Sequence, residues 1–301
     1  MDEEYVMRAE RVLGDDHSFV RLVDTLPTPL FCDWHPGDED EDRWDEIMDE
    51  ANGLPEGVFC KRPIAFQLKG HEWFCHEHGI EAVNGDQDRL TPITTSGDQR
   101  IVNAARVSIA GQDVRPSSDD TKLIRYLVRN KHTTPLEQVR FTFHVRLPIF
   151  VARQWIRHRT GSFNEESARY GKLAADFYIP TMDRLSKGGQ AKKNKQGSGE
   201  ELDDHKAETF QRYIREHSER SYEDYEVMLK YGLARELARM VLPVNIYTQW
   251  FWTTDLHNLM HFLRLRLHSH AQWEVRQYAE AMLPMIEFVA PAATAAFKET
   301  L

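Results

Sequence analysis

The nine residues VRFTFHVRL, Val139 to Leu147, constrain the fold of this chain more than any other stretch. Val139, Phe141, Phe143, Val145 and Leu147 alternate with Arg140, Thr142, His144 and Arg146, so one face is apolar and the other polar. An extended strand, with its side-chain period of two, buries the first set while exposing the second. The pattern predicts a half-buried strand. Pro148 follows, suited to the first turn of a helix, and Ile149 to Arg159 reads as that helix until Thr160-Gly161 stops it.

Other elements extend the pattern. SFVRLVD, Ser18 to Asp24, has the β-branched and apolar alternation of a second short strand. Helical spacing predicts helices over Ile101 to Ser108, Thr121 to Asn130, Glu208 to Tyr231 and Asp255 to Glu287. Lys187 to Asp204, glycine-rich and charged, reads as a mobile loop. From Thr25 to Ser96 the text changes character, with the acidic run GDEDEDRWDE, all three cysteines and frequent Pro and Gly. The expected organisation is one domain from 1–24 and 97–301, interrupted by a 25–96 insert. The fold class is α+β, a small antiparallel sheet with long helices.

Charge narrows the function classes. A formal net charge of −10 provides no long-range positive field to gather phosphates, which argues against general attraction to nucleic acid or anionic membrane. Any anion site must be local. The N-terminus MDEEYVMRAE is acidic where a secretory signal would be basic, and no apolar run approaches the length of a membrane span. A cytoplasmic location is expected, and an odd cysteine count suits a reducing compartment. In the insert, Cys75-x2-His78 has a spacing found in zinc sites, and Cys60 with Cys32 or His35 would complete four ligands. Pro63 stands where a ribbon would carry another ligand, and buried cysteines with surface histidines are the alternative, so no metal site is assigned.

The local anion site has a candidate in RHRTGSFNEESARY, Arg157 to Tyr170. On a helix ending at Arg159, Gln154, Arg157 and His158 share a face. The arginine fork suits phosphate, and Gln154 both donates and accepts, as a pyrimidine edge requires. Ser162, Asn164, Ser167 and Arg169 add short donors and another cation. The alternative is that the three cationic-capable side chains complement the negative end of the helix dipole.

Arg157-His158-Arg159, seven residues, then Ser167 resembles the R-H-R-x7-S signature of the flavin-dependent thymidylate synthases. The resemblance continues through NAARVS (Asn103 to Ser108), LIRYLVRNKHTTPLEQ (Leu123 to Gln138), FTFHVRLPIFVARQW (Phe141 to Trp155), ARMVLPVNIYTQWFW (Ala238 to Trp252) and LRLHSHAQWEVRQYA (Leu265 to Ala279). It covers most of the chain outside Thr25 to Ser96. It implies FAD as cofactor, NADPH and 5,10-methylenetetrahydrofolate as co-substrates, dUMP as substrate and dTMP as product. It also implies a homotetramer with active sites between subunits. By this resemblance Gln154, Arg157, Ser167, Arg169, Arg239 and Arg266 line the dUMP site. Thr134, Arg157, His158, Arg159 and Glu165 contact the flavin, with His132 near it.

Arg266 lies on the edge of the stripe Leu256, Leu259, Met260, Leu263 and Leu267, where a cation needs either a partner or a path to solvent. Its expected catalytic task is to stabilise negative charge developing on the uracil ring as N3 ionises. The matched region has no cysteine after Cys75, so a cysteine nucleophile is not what activates the ring there. Ser167 has no obvious base beside it and is assigned to nucleotide binding. The chain departs from the family where Asp255, His257 and His261 replace residues that are often Asn or Arg. His257 and His261 are carried over as flavin contacts, with a solvated polar face as the alternative. Two other functions stay open: hydroxymethylation of a pyrimidine nucleotide, and a non-enzymatic nucleic-acid binder using Arg157, Arg159, Lys192, Lys193 and Lys195.

Overall fold

The computed structural model describes residues 10–26, 66–68, 73–74, 90–92, 97–108, 119–192 and 197–301. Its centre is a five-stranded antiparallel sheet. The strands are β1 (Glu10–Arg11), β2 (Phe19–Leu26), β3 (Arg140–Pro148), β4 (Ser162–Glu165) and β5 (Tyr247–Asp255), in the order β1-β2-β3-β5-β4. The alternation of Val139 to Leu147 is β3 from Arg140 onward. Phe141, Phe143, Val145 and Leu147 are buried, while Thr142, His144 and Arg146 are half-buried on the other face. β5 runs antiparallel along its full length, with Trp252 opposite Phe143 and Trp250 opposite Val145. Because β2 pairs with the other edge of β3, residues before the 25–96 segment belong to the same sheet as those after it.

Helices supply the rest of the core, all but the fourth of them packing on the apolar face. They are α1 (Gly97–Val107), α2 (Asp120–Arg129), α3 (Ile149–Trp155), α4 (Asp204–Lys230), α5 (Leu256–Arg266), α6 (Trp273–Val289) and α7 (Pro291–Lys298). The main core joins the inner residues of β3 and β5 to Leu259, Phe262 and Leu263 of α5 and Tyr278, Met282 and Ile286 of α6. A smaller core gathers Tyr222 and Tyr225 of α4 with Ala168, Leu173 and Ile246. Among the described residues no helix is long and apolar enough to cross a membrane.

Three expectations are corrected. The helix after Pro148 ends at Trp155, not Arg159: Ile156 N–H still bonds to Ala152, but His158 N–H bonds back to Trp155 in a tighter turn. The expected helix from Asp255 to Glu287 is two helices, because His268 Nδ1 accepts the His270 N–H at 3.2 Å and diverts the backbone from its ladder. The stretch from Lys187 to Asp204 contains paired strands, Gly189–Gln190 and Ser198–Glu200, with 193–196 outside the described residues. Cys32, His35, Cys60, Cys75, His76 and His78 also lie outside them, as do Lys193 and Lys195.

The α1 start and the α7 start are tied together. Both Asp98 carboxylate oxygens accept N–H groups from the first turn of α7, Ala292 at 2.7 Å and Ala293 at 2.9 Å. Those donors have no intrahelical acceptor, so the contact works as a helix cap supplied from afar. Asp98→Ala is expected to lower stability by about 1–2 kcal/mol, read as a lower urea midpoint at unchanged slope. An unchanged midpoint would show that α7 does not depend on this cap.

Candidate active site

The site is built outward from Trp155, the last residue of α3. Its indole is fully buried, with ring centroids 5.7 Å from Trp250, 5.2 Å from Trp252, 4.7 Å from Phe262 and 5.8 Å from Tyr278. Core packing therefore fixes the end of α3 and the residues on either side of it. On one side is Gln154, whose Oε1 is buried and has no hydrogen-bond partner among the described residues. On the other, the turn sends His158 inward and leaves Arg157 and Arg159 exposed, so Gln154, Arg157 and His158 do not share a helix face as the sequence suggested. Neither Arg157 nor Arg159 has a carboxylate partner among the described residues.

Arg266, the last residue of α5, reaches the same spot from 108 residues away in sequence. Its Nε donates to His158 Nε2 at 3.1 Å, and Nη2 approaches the Gln154 carbonyl at 3.5 Å. The His158 ring packs edge-on against Phe262 at 4.9 Å and lies 6.0 Å from His261. Burial, with smaller contributions from the Arg266 and His261 charges, pushes the His158 pKa down to about 4. Burial also lowers the pKa of Arg266. The entry of α5 is fixed by Asp255, whose carboxylate accepts the Asn258 N–H at 2.9 Å and the Asn258 side-chain amide at 2.7 Å. Asp255 is thus an N-cap that helps set where Arg266 arrives.

A second group of side chains lies along β4 and the loop after it. Glu165 Oε1 accepts from the Thr248 hydroxyl at 2.8 Å, and the Glu166 N–H bonds to the Gln249 carbonyl at 2.8 Å. Gly161 lets this chain approach the sheet, since a Cβ there would fall 2.2 Å from Trp252 Nε1. Ser167 Oγ accepts the Arg169 N–H at 3.3 Å in a tight turn. Arg169 pairs with Glu236 at 3.1 Å, within the helical turn Arg235–Ala238 that leads into the exposed Arg239.

Of the residues proposed from sequence, the structure joins Gln154, His158, His261 and Arg266 directly, and places Glu165 at the end of β4 with Ser167 and Arg169 in the loop that follows. Thr134 and His132 are exposed, and His257 is half-buried. Among the described residues no hydrogen bond or ring contact joins these three to Arg266, His158 or Gln154. Sequence reasoning missed Thr248 and Phe262. Thr248 had a signal: in YTQWFW it shares the buried phase with Trp250 and Trp252, where a hydroxyl requires a partner. Among the described residues the arrangement presents the guanidinium groups of Arg157, Arg159 and Arg266 without carboxylates, and a buried amide oxygen without a donor. It suits an anionic ligand carrying a ring N–H.

The chain is similar to known proteins over most of its length. A family model described as "Thymidylate synthase complementing protein" matches residues 89–292. The flavin-dependent thymidylate synthase of Dictyostelium discoideum is 45% identical over 229 residues, covering 75% of this chain and 74% of that protein. The Thermus thermophilus flavin-dependent thymidylate synthase is 50% identical over 217 residues, 72% of this chain and 77% of that one. Among solved structures, a UMP/dUMP methylase, PolB, from Streptomyces cacaoi bound with 5-Br dUMP aligns with a TM-score of 0.62 and 40% identity. That alignment covers 68% of this chain and 91% of PolB.

Proposed function

The chain belongs to the flavin-dependent thymidylate synthase family, and we propose that it methylates dUMP to dTMP, with methylenetetrahydrofolate as carbon donor and NADPH-reduced FAD as hydride source. One observation carries the assignment of the site: Gln154 has a buried, partnerless Oε1, and its backbone carbonyl is approached at 3.5 Å by the half-buried Arg266, which has no carboxylate among the described residues. A pyrimidine edge supplies the donor that Gln154 lacks, and a nucleotide supplies the negative charge that Arg266 lacks.

In this reading Gln154 orients the base, and Arg157, Ser167, Arg169 and Arg239 hold the nucleotide and its phosphate through charge-assisted bonds. Arg266 stabilises negative charge on the ring as N3 ionises, a task for a group that stays cationic. Thr134, Arg157, His158, Arg159, Glu165, His257 and His261 would hold FAD, and the exposed Arg157 and Arg159 guanidiniums are fitted to its phosphates. FAD, when bound and reduced, supplies the hydride and mediates methylene transfer. A cytoplasmic homotetramer is part of the proposal. Tyr170, Tyr231 and Met240 are 85%, 83% and 74% exposed, and two of them adjoin Arg169 and Arg239 in sequence, as expected where a second subunit completes the site. The 25–96 segment is proposed to be an insert into this domain.

Incubating the purified, flavin-loaded protein with dUMP, methylenetetrahydrofolate and NADPH is expected to give dTMP by mass spectrometry. A product heavier by one oxygen would indicate hydroxymethylation instead, and a protein that cannot be loaded with FAD would remove the proposal. The net charge of −10 weighs against the nucleic-acid-binding alternative, and Lys193 and Lys195 lie outside the described residues.

A further inference from the structure

We propose that His158 is a positioning residue for Arg266, its unprotonated Nε2 accepting the Arg266 Nε–H and fixing the direction in which the guanidinium points. The inference rests on the role given to Arg266 above but assigns His158 a task distinct from flavin contact. The 3.1 Å bond between the two residues leaves one consistent protonation state, because Arg Nε only donates. Nε2 must be bare, and the ring proton must lie on Nδ1.

A neutral acceptor is the kind of partner this cation needs. A carboxylate at the same place would orient the guanidinium more strongly, but it would also cancel the charge that the site is to present. An imidazole nitrogen supplies direction and leaves the positive charge uncompensated. The groups facing His158 agree. Phe262 closes one side with an apolar ring, and Arg266 and His261 are both basic. No carboxylate pairs with His158 or Arg266 among the described residues. With its pKa pushed down to about 4, the imidazole stays neutral throughout the physiological range. Protonation would turn an acceptor into a second cation against the first.

The geometry also ties two distant elements to one task. His158 is placed by the turn that follows the buried Trp155, and Arg266 by the end of α5, which also carries Phe262. The bond therefore joins the RHR turn to α5 at the atom pair that sets the direction of Arg266. The same guanidinium reaches the Gln154 carbonyl through Nη2 at 3.5 Å, so two neutral acceptors hold it and neither is charged.

Two measurements test the proposal. In the ligand-free, nitrogen-15-labelled protein at neutral pH, the His158 imidazole should show a protonated Nδ1 and an unprotonated Nε2, and Arg266→Gln should shift the Nε2 signal. The second is a double-mutant cycle on the rate of dTMP formation in single turnover. His158→Phe keeps a ring against Phe262 but removes the acceptor. It is expected to slow the Arg266 enzyme by about tenfold to a hundredfold, the worth of a hydrogen bond to a charged group. It should change the rate of Arg266→Gln by less than about twofold, since the two act as one unit. His158→Gln, which returns an acceptor oxygen near the Nε2 position, should recover most of the loss. A protonated Nε2, or mutational factors that multiply independently, overturns the proposal. If the protein makes no dTMP under any condition, the proposed activity falls, and the imidazole signals still decide the pairing.

Discussion

Arg266→Gln is expected to reduce the rate of dTMP formation by about 10²–10³-fold while leaving the affinity for dUMP within roughly tenfold of the parent. The asymmetry follows from where the side chain sits. Arg266 is half-buried, so its field acts in a medium less screening than water, and it lacks a carboxylate partner among the described residues. Such a charge contributes most where negative charge develops during reaction and less where it already exists in the ground state. The nucleotide's phosphate is assigned to exposed groups, among them Arg157, which should show the opposite split. Stopped-flow measurement of product formation in single turnover, with dUMP affinity read from flavin absorbance, separates the two quantities. A loss of affinity with the saturated rate constant unchanged would demote Arg266 to a binding residue. Unchanged methylation would remove it from the mechanism.

Some of this site was legible before any fold was known, and the reason is physical. β3 shows itself because its period-two alternation is local: each residue's burial is decided by the phase of its neighbours. Arg266 is legible because a cation at the edge of a leucine stripe needs a partner wherever the helix packs. The end of α3 was less legible. Whether Arg157 to Arg159 continue as helix depends on His158 turning inward to Phe262 and Arg266, residues far along the chain. The break between α5 and α6 was hidden for a related reason, since apolar periodicity continues on both sides while the His268 ring diverts the backbone between them. Asp255 shows the reverse case. It reads as a departure from the family at a flavin position, yet both its oxygens are committed to Asn258, and its local role is to cap α5.

The same dependence of the site on distant packing leads to the largest stability effect expected here. Trp155→Ala removes an indole that touches Trp250 and Trp252 of β5, Phe262 of α5 and Tyr278 of α6 at centroid distances of 4.7 to 5.8 Å. A truncation of that size in a close-packed core costs about 3–5 kcal/mol, the lost burial plus the cavity that neighbours fill only in part. Because a domain's whole stability is roughly 5–15 kcal/mol, the variant should unfold at markedly lower urea and approach marginal stability at body temperature. A functional consequence separates this prediction from a bare stability claim. Trp155 fixes both Gln154 and the turn that carries His158, so the variant that remains folded should lose rate as well as stability. Trp155→Phe retains a ring against Phe262 and should recover a part of each. Chemical denaturation and the dTMP assay on the same preparations check the pairing. If Trp155→Ala were to unfold early yet methylate at the parent rate while folded, the indole would be supporting the core alone, and the Gln154–His158–Arg266 geometry would have to be held by something else.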